Sequence, residues 1–131
     1  MAPDTSEDRS RMSFQELVSW AWRETSPVHT NATNLLIHLL AVPLFVFGNL
    51  LVVAGVAFNP WLLGAAVLCM AASLALQKVG HALEPVQVHP FTGPRDFLRR
   101  VYAEQFCNYW RFLFSGQWYA SLKASQSRLA P

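Results

Sequence analysis

Apolar and polar positions alternate in distinct ways along the 131 residues. Residues 1–12 (MAPDTSEDRSRM) have no periodic apolar positions and read as a disordered tail. From Ser13 the pattern turns helical: Phe14, Leu17, Val18 and Ala21 share one face, with Trp20 and Trp22 beside it. Ser13 and Glu16 form a capping-box pair, so an amphipathic helix is expected over 13–25, ended by Ser26-Pro27. Its indole rings suit a membrane headgroup zone or a packed protein face equally well.

Residues 25–77 contain no Asp, Glu, Lys or Arg. A helical bilayer crossing takes about 20 apolar residues, and the stretch has room for two. A first span is expected over 33–58, capped by Asn31 or Thr33 and bent at Pro43, which lacks the N–H for its turn. Asn59-Pro60 signals a turn, and a second span follows over 60–84, closed by Pro85. Ala41, Gly48 and Gly55 place small side chains on one face of the first span. Ala65, Cys69 and Ser73 do so on the second, which predicts a tight antiparallel hairpin. After a loop at Val86–Pro94, charged residues interleave with Phe97, Val101, Tyr102, Phe106 and Tyr109. This predicts an amphipathic helix over 95–115, lying on the membrane over the hairpin's mouth and ending near Gly116, before a polar tail over 123–131. The fold class is therefore all-α: an integral membrane hairpin of two transmembrane helices with flanking interfacial helices, one membrane domain over 13–122.

Composition agrees, with 53% hydrophobic residues and only 14% charged, against roughly 25% charged in soluble domains. The formal charge of +2 is too small to suggest nucleic acid. Distribution says more: Arg9, Arg11 and Arg23 precede the hairpin, Lys78 and six further Arg or Lys follow it, and its tip has none. The positive-inside rule then puts both termini in the cytoplasm, in a bacterial inner membrane or an endoplasmic reticulum. The first thirty residues read as no secretory signal, and Met-Ala-Pro is no myristoylation motif. Cys69 and Cys107 lie in separate helical segments and read as free thiols.

The chemistry concentrates in four histidines at the ends of the uncharged stretch. His29, Asn34 and His38 stand on one side; Gly80, His81 and Glu84 on the other, with His89 in the loop beyond. At about 100° per residue, Asn34 and His38 share a face, whereas His29 lies about 180° from His38 unless it sits on a loop before the helix. In an antiparallel hairpin His38 and His81 meet at similar depth, and ionisable groups inside a span mark functional sites. Two or three imidazoles plus a carboxylate, with open positions, suit non-haem Fe(II) better than structural zinc, which is closed and often uses thiolates. Glu84 is equally suited to ligating the metal and to accepting a hydrogen bond from a ligating imidazole, and Asn34 is expected in such a supporting role. His89, beside proline on a loop, reads as an ordinary surface histidine.

The motif His29-x4-Asn34-x3-His38, the following Pro43 and the Gly80-His81 pair with an acid beyond resemble the Mpo1-like family. These are membrane proteins related to a yeast endoplasmic-reticulum 2-hydroxy fatty acid dioxygenase. PFTGPRDFLRR and EQF…RFLFSGQW extend the resemblance, in a bacterial-type branch, over about residues 14–118. It implies Fe(2+) held by His29, His38 and His81 as catalytic residues. It further implies O2-dependent α-oxidation of a 2-hydroxy fatty acid to a chain one carbon shorter, and the lipid bilayer as partner. In better-known members the acid follows the histidine by four residues; Glu84 follows His81 by three. Two other readings fit the same residues: a non-catalytic hairpin that shapes membranes or binds a partner, and a hairpin whose His38 and His81 are axial ligands of a haem.

Overall fold

The computed structural model describes residues 9–130, and every regular element among them is helical. Helix α1 spans Phe14–Thr25 and starts in the expected capping box: Ser13 Oγ accepts from Glu16 N, and Glu16 Oε2 accepts from Ser13 N. A 3-10 turn, Ser26–Val28, takes the chain out of α1 at Pro27. Helix α2 spans Ala32–Ala57 and begins where Asn31 Oδ1 accepts from Thr33 N and Asn34 N; it continues through Pro43. Helix α3 spans Trp61–Ala82.

Both α2 and α3 are long and apolar enough to cross a membrane. Only 28% and 17% of the residues in their most apolar windows are buried, unlike a soluble protein's core helices. Leu40, Leu50, Val53 and Val56 on α2 and Val67 and Leu68 on α3 all face outward. Between the helices the packing runs antiparallel, Asn34 against Gly80, Ala41 against Ser73, Gly48 against Cys69 and Met70, Gly55 against Leu63. Close approach is required there: a Cβ on Gly48 would lie 2.6 Å from Met70 Cγ, and one on Gly55 2.7 Å from Leu63 Cδ2. Ser73 and Cys69 lie in the seam as expected, but Ala65 is exposed and Ala66 is buried in its place.

Helix α4 spans Pro94–Ala103, widens into a π-helical segment over Glu104–Asn108 and resumes as α5, Tyr109–Phe114. This assembly lies against the flank of the hairpin as well as its end. Tyr102 donates to Asn49 Oδ1 at 2.6 Å, Phe45 packs on Tyr102 and Phe106, and Phe112 packs on His29. Gly116, at φ 86°, turns the chain into α6, Gln117–Leu129.

Two terminal expectations are corrected. Arg9–Met12 is docked and turned: the Arg9 guanidinium is buried, pairs with Asp96 at 3.2 Å and donates to the Pro90 carbonyl at 2.9 Å. Residues 1–8, the rest of the expected disordered tail, lie outside the described residues. The expected polar tail after Leu122 is instead the second half of α6. It is tied down by Ser125 Oγ, which accepts from Ala32 N, and by Arg128, which donates to Thr30 O. Trp118, earlier on α6, donates to Leu35 O.

Candidate metal centre

The break between α1 and α2 is what brings His29 to the site. Its backbone is non-helical (φ −131°, ψ 63°), which frees it from the 180° offset a continuous helix would impose. The ring is fixed by Nδ1, 2.7 Å from the Thr25 carbonyl. A carbonyl only accepts, so Nδ1 bears the proton and Nε2 keeps its lone pair. Burial holds this imidazole below the ordinary histidine range, against the opposing pull of the Thr25 hydrogen bond and the Glu84 charge.

His38 repeats the device nearly two turns into α2: Nδ1 donates to the Asn34 carbonyl at 3.0 Å, again leaving Nε2 free, and the side chain is buried. His81 enters from the last turn of α3. Its Nδ1 is buried with no well-formed hydrogen bond; the Val28 carbonyl near it already accepts from Asn34 Nδ2.

The three rings form a near-equilateral set, with centres 4.7, 4.9 and 4.7 Å apart and planes at 74–85° to one another. One nitrogen from each lies within 4.8 Å of the other two, a group able to hold a metal ion. Three imidazoles on one ion at about 2.1 Å place ring centres about 4.5 Å apart at right angles and about 5.2 Å apart at the tetrahedral angle. The observed triangle falls between these, so the donor set fits an ion bound on one side with further positions open. Haem fits poorly: imidazoles on opposite sides of one iron need ring centres about 6.3 Å apart, whereas His38 and His81 are 4.7 Å apart.

Glu84 does not join this group. Its Oε1 accepts from Thr30 N at 2.9 Å, Asn31 N at 3.0 Å and Asn34 Nδ2 at 2.6 Å, and its Oε2 from Thr30 N at 3.0 Å and Thr30 Oγ1 at 2.7 Å. Burial pushes the carboxyl up, but these donors outweigh it and hold Glu84 below the ordinary carboxylate range. Of the two expected roles, the structure therefore gives Glu84 neither metal ligation nor a direct bond to an imidazole. It clamps the segment after His29 onto the end of α3. Asn34 is the hinge of that clamp, joining Glu84, the Val28 carbonyl and, through its own carbonyl, His38. Gly80 makes this possible, because a Cβ there would collide with Asn34 Oδ1.

The histidines border a cavity of about 40 Å³, room for about three water-sized molecules. Its other walls come from α1, from Val88 and His89 of the loop, from Arg100 on α4 and from the π segment with Tyr109. Gln77 and Gln105 exchange two hydrogen bonds across it at 3.1 and 2.7 Å, and Gln77 also bonds Ser73, whose hydroxyl donates to Ala41 O at 2.5 Å. His89 stands apart from the three, 3.0 Å from Glu24 at the cavity's rim. Sequence reading missed Glu104, Gln105, Asn108 and Tyr109 as cavity residues. Their one sequence signal was uncharged amides, Gln105 and Asn108, at helical spacing among aromatics. No protein-family model matches this chain, and no curated protein or solved structure is found similar to it.

Proposed function

We propose that this chain is a membrane-embedded, non-haem Fe(II)-dependent dioxygenase acting on 2-hydroxy fatty acids. The observation that carries the reading is the convergence of His29, His38 and His81, each on a different structural element, around one point beside a cavity. Neutral imidazoles without thiolates, with coordination positions left open, favour a catalytic ion over a closed structural one. The resemblance of these motifs to Mpo1-like proteins supports iron and the lipid substrate.

In this reading α2 and α3 are transmembrane, their outward apolar residues face lipid, and the Lys and Arg outside the hairpin keep both termini cytoplasmic. The site then lies at headgroup depth, where a fatty acid can insert its polar end while its tail remains among the acyl chains. The helices α1, α4 and α5 each contribute residues to the cavity wall. The Nδ1 bonds of His29 and His38 fix their rings, and the Glu84 clamp keeps the loop bearing His29 in place. Bound iron would supply O2 activation. The stoichiometry closes without a reductant: R–CH(OH)–COOH and one O2 give R–COOH, CO2 and water, the four electrons taken by O2 coming from the C1–C2 cleavage.

The test is direct. Membranes containing the protein, supplied with Fe(II) and 2-hydroxyhexadecanoate, are expected to form pentadecanoate with matching O2 uptake, and His38→Ala membranes are not. Absence of the shorter acid from wild-type membranes with intact protein would overturn the assignment.

A further inference from the structure

Four buried side-chain polar atoms among the described residues lack a hydrogen-bond partner: Asn34 Oδ1, His81 Nδ1, Arg100 Nε and Tyr109 Oη. His81 Nδ1 lies near the Val28 carbonyl, and the two remaining donors, Arg100 Nε and Tyr109 Oη, belong to residues that line the same cavity. Buried unpaired donors are costly and rare, so their collection around one space marks a place for a ligand.

The cavity lining beyond the histidines is rich in donors and poor in free acceptors. Arg100 is 3% exposed, held between the faces of Trp20 and Phe91 and tied through Nη1 to the His89 carbonyl at 2.7 Å. Its Nη2 forms an ion pair with Glu104 at 3.7 Å, too long for a hydrogen bond, and its Nε–H is unused. Tyr109 is 6% exposed, and burial pushes its phenol up to about 12, so it stays a donor. Gln77 and Gln105 spend their amides on each other, Asn108 donates to Val18 O, and Glu24 is engaged by His89. Glu104, its side chain 39% exposed, is engaged by Arg100 through Nη2.

We propose that Tyr109 and Arg100 form an oxyanion-binding wall that receives the carboxylate of the molecule held at the three histidines, Tyr109 O–H and Arg100 Nε–H being its donors. The π segment serves this purpose. Glu104, Gln105 and Asn108 of this segment and Tyr109 just after it all line the cavity, and π-helical turns recur at functional sites. The proposal rests on the oxygenase reading and makes Tyr109 a positioning residue that selects acids over neutral alcohols.

The experiment compares 2-hydroxyhexanoate with hexane-1,2-diol, two short probes of the same skeleton, by anaerobic calorimetric titration of iron-loaded protein, with iron measured on the same samples. Tyr109→Phe conserves the ring and removes only the hydroxyl. It is expected to weaken binding of the acid about tenfold or more, as loss of a hydrogen bond to a charged group does, with diol affinity and iron content unchanged. Equal weakening of both probes, or no weakening of the acid with iron retained, would overturn the proposal alone. Wild-type protein that holds no iron would overturn the oxygenase reading and the proposal with it.

Discussion

Glu84→Gln separates a clamp from a ligand. The carboxylate accepts from Thr30 N, Thr30 Oγ1, Asn31 N and Asn34 Nδ2. In the amide, the NH2 group must take the Oε2 side, where the Thr30 hydroxyl can reverse and accept. The three donors to Oε1 are then kept, but each now meets a neutral oxygen. Hydrogen bonds to charged groups contribute about 1.5–3 kcal/mol and neutral ones about 0.5–1.5. Three such downgrades, not fully additive, predict a loss of about 2–3 kcal/mol. Because Glu84 is no ligand, the metal should remain, its affinity lowered about tenfold through the loosened His29 segment. Chemical unfolding in detergent micelles measures the first quantity, and competition with a calibrated chelator the second. Complete loss of metal with unchanged stability would refute this account and make Glu84 a ligand.

Gly80→Ala should drive Asn34 from its pocket, since the new methyl meets the side-chain oxygen of a residue pinned to Glu84 and Val28. Losing those two bonds predicts a destabilisation of about 2–4 kcal/mol, read by unfolding, together with weakened metal binding. Acid should destabilise the metal-free protein through His29. Its folded pKa is lowered from 6.5, so its contribution is complete above that value and is lost as pH falls towards the folded pKa. Unfolding of chelated protein between about pH 7 and pH 5 should show this slope, and His29→Gln should reduce it.

Local signals were legible in the sequence, and long-range ones were not. The capping box at Ser13, the breaks at Pro27 and Pro60 and the uncharged stretch each announced an element within a few residues of where it lies. Helix geometry also stated the condition for His29 to meet His38, namely a loop before α2, and the structure meets it. Arg9 looked like one charge in a polar tail because its partner, Asp96, is 87 residues away. Ala65 and Ala66 differ by 100° on the helix yet look alike in a stripe of small residues, so packing had to choose between them. Residues 123–129 read as tail for their polarity, although they contain neither Gly nor Pro; Ser125, which accepts from Ala32 N, and Arg128, which donates to Thr30 O, fix them by long-range bonds that no periodicity reveals. Glu84 was legible as part of the site, but two of its four donors are the backbone N–H groups of Thr30 and Asn31, which have no sequence signature.

The central claim is that three histidines hold one metal ion, and metal analysis tests it most directly. Protein purified in detergent without chelator, and then reconstituted anaerobically with Fe(II), should contain about one ion per chain, as one site requires. His29→Ala, His38→Ala and His81→Ala should each lower occupancy severely, while His89→Ala, outside the group, should not. Wild-type protein that takes up no metal, or single variants of the three that retain it fully, would contradict the account.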